Sequence, residues 1–221
     1  MKAMRWPTIR LREREQTSGE EIANSISHGV ATIAALVAAG AIVSSAAQHG
    51  DARRIAAVSV FAGTLVFLYL SSTLYHALRP QRAKRVFKIL DHSAILLLIA
   101  GTYTPFALGV LHDSVGKPLL AFVWSLAALG VTFTAITRVR YPTAFTLLVL
   151  AMGWTILVAI KPLWEHMDPW GLFWLGAGGA AYTGGIAFFA ADRVRFGHLV
   201  WHVCVILGSA CHYVAVLRYA G

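Results

Sequence analysis

The segment Arg195-Phe-Gly-His198-Leu-Val-Trp-His202 opens an apolar stretch that runs to Leu217. Side chains at positions i and i+4 of a helix lie on one face, with Cβ atoms about 5–6 Å apart. His198 and His202 have this spacing, so a helix over the segment points two imidazoles at one place. Neutral imidazole is a common zinc ligand, and open zinc sites use three protein ligands. The segment therefore predicts an apolar helix whose start carries either two interfacial histidines that bond headgroups or backbone, or two of the three ligands of a metal site.

The composition is that of a membrane protein. Of 221 residues, 57% are hydrophobic and 13% charged, whereas soluble domains carry about 25% charged residues. Seven apolar stretches approach the roughly 20 residues that cross a bilayer. They are His28 to Gln48, Ile55 to His76, Leu90 to Leu111, Leu119 to Thr137, Thr143 to Ile160, Gly171 to Ala191 and His198 to Leu217. The net charge of +9 arises from basic residues in the loops between these stretches, so no nucleic-acid partner is expected.

The basic residues also predict the orientation in the membrane. With the N-terminus inside, fourteen of the nineteen lysines and arginines lie on the cytoplasmic side. The positive-inside rule then places the N-terminus in the cytoplasm and, after seven spans, the C-terminus outside. We therefore expect an all-α, multi-pass protein of the inner (plasma) membrane, a seven-transmembrane helix bundle. Residues 1–21 form a short charged cytoplasmic arm, and residues 22–221 form a single membrane domain.

The predicted topology brings further polar residues to the depth of the histidine pair. His76 ends the second stretch in the same leaflet as His198 and His202, and we expect it to be the third ligand. Ser72 precedes His76 by one turn and can hydrogen-bond near the ion. Asp91 starts the third stretch, where its carboxylate can accept a proton from water or hold that water for attack. The set predicts hydrolysis of a lipid amide or ester that enters from the inner leaflet.

Several of these polar residues also have structural interpretations. Asp91 at the start of a helix is equally suited to be an N-cap that accepts backbone N–H groups. Asn24 and His28, again i and i+4, are interpreted as capping the inner end of the first helix and hydrogen-bonding between helices rather than binding metal. Cys204 and Cys211 lie seven residues apart in one apolar stretch, which is too far for a disulfide between them.

Five segments form a combination with a known counterpart. They are Ser72-x-x-x-His76, Leu90-Asp91-His92, His198-x-x-x-His202, Glu21-Ile-Ala-Asn24-Ser-Ile-Ser-His28-Gly29 and Gly101-Thr-Tyr-Thr-Pro105-Phe. This combination resembles the hemolysin III branch of the progestin and adipoQ receptor superfamily, and the resemblance spans about Glu20 to Leu217. It implies a seven-helix bundle with an intramembrane zinc ion held by three histidines.

The resemblance also assigns individual residues. The three zinc ligands correspond to His76, His198 and His202, the aspartate beside the zinc-bound water to Asp91, and the family's serine to Ser72. Adiponectin receptors of the superfamily are linked to ceramide hydrolysis. Bacterial members are named both as hemolysins and as membrane-homeostasis proteins.

The expected function is therefore zinc-dependent hydrolysis of a membrane lipid, such as a ceramide-like amide, in membrane lipid homeostasis. The expected cofactor is Zn²⁺, and the expected partners are membrane lipids. Two other functions stay open: a membrane-active hemolysin or pore, and a receptor or sensor in which zinc is structural. Hormone binding is not expected, because His92 stands where the receptors tend to have tyrosine and their large N-terminal domain has no counterpart here.

Overall fold

A computed structural model describes residues 16–48, 52–190 and 194–220, and these are almost entirely helical. The helices are α1 (Ser18–Gln48), α2 (Ala52–Ala77), α3 (Gln81–Leu108), α4 (Gly116–Thr137), α5 (Pro142–Trp154), α6 (Ile160–His166), α7 (Pro169–Ala190) and α8 (Gly197–Tyr219). Seven spans among the described residues are long and apolar enough to cross a membrane, the fifth comprising α5, a 3-10 segment and α6. The predicted all-α, seven-span fold is confirmed, and the described part of the chain contains no strand.

Helices α1 and α3 begin much earlier than the apolar pattern predicts. Helix α1 starts at Ser18, ten residues before His28, so residues 18–21 of the expected arm are helical and residues 1–15 lie outside the described residues. A capping box fixes this start: Thr17 N donates to Glu20 Oε2 at 2.9 Å, and Glu20 N donates to Thr17 Oγ1 at 3.4 Å. Helix α3 starts at Gln81 rather than near Leu90. The additional residues at the start of both helices include charged ones, so a prediction based on apolar stretches does not include them.

Helix α3 lies at the centre of the bundle. Its residues from Gly101 to Ala107 are all buried, and it packs against α2, α4, α5 and α8. The most extensive contacts join α1 to α2, α7 to α8 and α2 to α3. Large apolar side chains of α1, α4 and the fifth span, among them Val37, Ile136 and Val158, point outward. Such faces suit a hydrocarbon environment, in which no water is available to penalise them.

Two glycines allow α7 and α8 to approach closely. A Cβ added at Gly178 would lie 2.2 Å from Cδ2 of His212, and one at Gly185 would lie 2.7 Å from Cβ of Cys204. Small residues at such contacts are typical of membrane helix pairs. Gly176 and Gly179, on another face of α7, have no neighbour within 4 Å of an added Cβ. Both cysteines of α8 are free, as their spacing predicts.

The fifth span is interrupted, which the sequence did not predict. Helix α5 ends at Trp154, and a 3-10 segment, Thr155–Ala159, leads into α6. The hydroxyl of buried Tyr103 in α3 donates to the carbonyl oxygens of Met152 and Gly153, at 2.9 and 3.0 Å. These bonds satisfy backbone groups at the break, as a membrane interior requires.

Three prolines that lie between the apolar stretches of the sequence are in the first turns of helices. They are Pro118 in α4, Pro142 in α5 and Pro162 in α6. A first-turn residue needs no N–H donor within the helix, so proline is tolerated there.

Candidate metal centre

Three histidines converge where α2 ends and α8 begins. His76 lies in the last turn of α2, and His198 and His202 occupy the first two turns of α8. One ring nitrogen of each lies within 4.8 Å of the other two. The ring centroids are 5.1 Å apart for both pairs that include His76 and 4.7 Å apart for His198 and His202. The tertiary structure thus brings together the three residues that the sequence singles out as ligands.

The donor set fits a metal ion of the zinc type. His76 and His202 are buried and His198 is partly buried. Nε2 of His76 is buried and has no hydrogen-bond partner among the described residues. An unsatisfied polar atom in an apolar interior costs free energy unless something binds it. Three imidazole ligands with room for a fourth are the donor set of many catalytic zinc sites, so these residues could hold such an ion.

Ser72 and Asp91 line the same cavity as His198 and His202, two of the three clustered histidines. Ser72 is 1% exposed and lies one turn before His76 on α2. Asp91 lies ten residues inside α3, whose N-cap position is Pro80 with no side-chain cap. The N-cap interpretation of Asp91 is therefore wrong, because the helix already extends almost three turns before it. The carboxylate is instead placed in a cavity wall, where it can face a ligand.

His92 belongs to the wall of the cavity as well. Its Nδ1 donates to the carbonyl oxygen of Lys88 at 2.9 Å, and its ring contacts Phe145 at a centroid distance of 5.1 Å. The carboxylate of Asp91 lies 3.8 Å from the same ring nitrogen. His92 thus packs between α3 and α5 and is not one of the three clustered histidines.

His28 was interpreted as a capping and hydrogen-bonding residue, and the structure contradicts this. Both of its ring nitrogens are buried without a hydrogen-bond partner among the described residues. The ring stacks on His202 at a centroid distance of 3.6 Å and an interplanar angle of 6°. Asn24 does form an inter-residue bond, through its Nδ2 to Gln16 Oε1. His28 therefore supports the His202 ring by packing, a contact between α1 and α8 that no local pattern could reveal.

Sequence reasoning missed two residues of α1 that contact the cluster. Glu21 Oε2 lies 2.7 Å from Nδ1 of His76, and Ser27 Oγ lies 3.1 Å from Nδ1 of His202. Both residues lie in the segment Glu21 to Gly29, which was used only as evidence of the family resemblance. The apolar pattern could not single them out, because Glu21 falls in the charged arm of residues 1–21 and Ser27 precedes the first apolar stretch.

A cavity of about 370 Å³ extends from the cluster into the bundle. At the end where α1 begins it is lined by His28, Ser72, Asp91, His92, His198 and His202. Further along, its walls are mainly apolar and reach Leu163 of α6 and Leu172 of α7, near the opposite end of the bundle. A polar head group beside the histidines and an apolar chain along the bundle axis would match this distribution of side chains.

Residues 16–213 match the family model described as haemolysin-III related. This chain belongs to the haemolysin III family. The match covers α1 through most of α8 and includes every site residue named above. As a haemolysin III protein with seven spans, the chain is an integral, multi-pass protein of the plasma membrane.

Curated relatives agree with the haemolysin III assignment over most of the chain. "Hemolysin-3" of Bacillus cereus is 42% identical over 212 residues, covering 96% of this chain and 97% of that protein. "Hemolysin-3 homolog" of Bacillus subtilis (strain 168) is 40% identical over 203 residues, covering 92% and 95%. "Monocyte to macrophage differentiation factor" of Homo sapiens is 26% identical over 212 residues, covering 92% and 85%. No solved structure matches this haemolysin III chain.

Proposed function

We propose that this protein is a zinc-dependent hydrolase of membrane-lipid amides or esters that acts on the lipid composition of the plasma membrane. The observation that carries the proposal is the cluster of His76, His198 and His202, of which His198 and His202 line one end of an apolar cavity. Cofactor and reaction follow from donor chemistry, and the substrate class follows from the cavity lining. A ceramide-like amide is the substrate that we would test first.

The proposed chemistry divides between the metal and the protein. His76, His198 and His202 would hold the zinc ion, which would supply Lewis acidity that lowers the pKa of a water molecule to about 7. Asp91 accepts the proton of the attacking water, and Ser72 donates a hydrogen bond in the same part of the cavity. The water oxygen bonds to the acyl carbon, the C–N or C–O bond breaks, and the amine or alcohol leaves with the proton from Asp91.

The first test is the metal content of the detergent-purified protein by elemental analysis. We expect about one zinc ion per wild-type chain and loss of most of it in His76→Ala, His198→Ala and His202→Ala, because each variant removes one ligand of a three-ligand site. His166→Ala, which alters an exposed histidine of α6, is the control and should keep the metal. A wild type that stays metal-free after expression with zinc would contradict the proposal.

The second test separates hydrolysis from a structural role of zinc. Asp91→Asn should lower the rate of hydrolysis of a synthetic ceramide by about 10²–10⁴-fold, the usual contribution of general acid–base catalysis, and should leave the zinc content unchanged. Asp113→Asn is the matched control, because the Asp113 side chain is 96% exposed in a loop. If zinc-loaded wild type releases no fatty acid from amides or esters, a receptor or sensor with structural zinc is the better assignment.

The names of the two Bacillus relatives favour a membrane-active haemolysin as a second candidate. Release of a dye from vesicles by purified protein measures this activity directly. Lysis that persists in Asp91→Asn and His202→Ala would assign the function to membrane perturbation. Lysis that disappears with zinc would make it a consequence of lipid hydrolysis.

A further inference from the structure

We propose that Glu21 and Ser27 of α1 are positioning residues that fix the ring orientation and tautomer of two metal-ligating histidines. The inference rests on the proposed function, because it concerns the metal site postulated there. Helix α1 supplies none of the three clustered histidines. Its first three turns nevertheless contact both helices that do supply them, α2 and α8, and the start of α3.

Glu21 acts on His76. A carboxylate oxygen can only accept, so the contact of 2.7 Å between Glu21 Oε2 and His76 Nδ1 places the imidazole N–H on Nδ1. The other carboxylate oxygen, Oε1, accepts from Nζ of Lys84 on α3, which supports the ionised form of Glu21. With the proton on Nδ1, Nε2 of His76 carries the lone pair. Nε2 of His76 is also the ring nitrogen that is buried without a hydrogen-bond partner among the described residues. This is consistent with its use as a metal-ligating atom.

Ser27 acts on His202 by a similar argument. Its hydroxyl donates its single proton to the carbonyl oxygen of Asn24 at 2.8 Å. The oxygen can then only accept from Nδ1 of His202, which lies 3.1 Å away, so His202 also carries its proton on Nδ1. The lone pair is again on Nε2. Two different side chains of one helix thus impose the same tautomer on two ligands that come from different helices.

A third contact fixes the helix that carries two of the histidines. Glu20 Oε1 accepts a hydrogen bond of 2.9 Å from the backbone N of Phe196, the residue at the N-cap position of α8. This bond ties the start of α8 to the start of α1, one residue away from Glu21. The side chains of Glu21 and Ser27 therefore act within a frame in which α1 and α8 are already joined.

A merely structural role makes different predictions. An ion pair between helices, or a serine bonded to its own helix, affects the stability of the metal-free fold and leaves metal affinity alone. Ser125 of α4 shows what a structural serine does: its hydroxyl donates to the carbonyl oxygen of Ala121 at 2.7 Å on an exposed face. Ser27 forms the same kind of backbone bond and in addition receives an imidazole. Outer-shell partners of metal-bound histidines typically contribute about 10–100-fold to metal affinity.

The experiment measures the zinc dissociation constant of the full-length protein in detergent by competition with a chromophoric chelator. Glu21→Gln and Glu21→Asp should weaken zinc binding by about 10–100-fold and Ser27→Ala by about tenfold. Glu21→Gln removes the charge of the carboxylate, and Glu21→Asp shortens the side chain by one methylene. Ser27→Ala removes the hydroxyl that accepts from His202. Glu165→Gln, in the exposed pair with Lys161, and Ser125→Ala are the matched controls and should bind as wild type does.

A second measurement keeps folding apart from positioning. Thermal unfolding of the metal-free variants shows whether the fold is affected, and ¹⁵N chemical shifts of the histidine rings report their tautomers. If Glu21→Gln and Ser27→Ala bind zinc with wild-type affinity, the inference is overturned, and the assignment of the metal site is unaffected. Should the Glu21 variants fail to fold, Ser27→Ala decides by itself. A wild type that binds no zinc overturns both the proposed function and this inference.

Discussion

The two ends of the cavity are built in contrasting ways. At the end where α1 begins, polar side chains of one helix bond to another, as in Glu21 with His76 and Ser27 with His202. Along the fifth span the walls are apolar, and the described residues show polar links only from Tyr103 to the break and from Trp154 to Thr183. Lipid chains are as apolar as leucine, so membrane helices are held together by close packing and hydrogen bonds. The first region therefore holds the histidines in a defined geometry, and the second forms the apolar walls of the cavity.

Zinc binding should produce the largest difference between the two regions. Zinc at about 100 times its dissociation constant should raise the free energy of unfolding by about 2.7 kcal/mol, because it binds the folded state only. Thermal unfolding with and without zinc measures the effect, and hydrogen exchange should show added protection at the end of α2 and the start of α8. His202→Ala should show neither effect, whereas His166→Ala should behave as wild type. Protection that appears mainly in α5 and α6 would contradict the assignment of the site.

Tyr103→Phe tests the second region. It leaves the carbonyl oxygens of Met152 and Gly153 without the phenolic donor, which should cost about 1–2 kcal/mol of stability. Zinc affinity should stay within about twofold of wild type, because distant sites without shared partners usually couple by no more than about 0.3–0.5 kcal/mol and the three clustered histidines lie on α2 and α8. Reversible unfolding in detergent measures the first quantity and chelator competition the second. Tyr141→Phe, on an exposed tyrosine, is the control and should change stability by less than about 0.5 kcal/mol.

The smallest effect is expected from Lys84→Met. The Lys84 side chain is 27% exposed and bonds Glu21 at the edge of the first region. Partly exposed ion pairs contribute about 0.2–1 kcal/mol, so zinc affinity should fall by less than about fivefold. Chelator competition measures the change, with Lys161→Met as the control for the loss of an exposed lysine. A loss as large as that expected for Glu21→Gln would mean that Lys84, rather than the carboxylate, controls the position of His76.

The candidate site was predictable from the sequence where a single helix determines it. His198 and His202 follow from a spacing of four residues, and His76 follows from the depth that the topology assigns to it. The apolar pattern placed Asp91 at the start of its helix. This was wrong, because α3 begins at Gln81. The break in the fifth span left no mark in the apolar pattern, since a 3-10 segment and an α-helix bury similar residues.

The sequence by itself determined that this chain spans the membrane seven times, because apolar length sets the number of spans. It also determined that two imidazoles share one helical face, because helical spacing is a local property. The tertiary structure decided which ring nitrogens face inward and that His28 stacks on His202. It also decided that α1, which contributes none of the three clustered histidines, bonds to the helices that contribute them. These features depend on how each helix is rotated against its neighbours, and contacts between residues distant in sequence set that rotation.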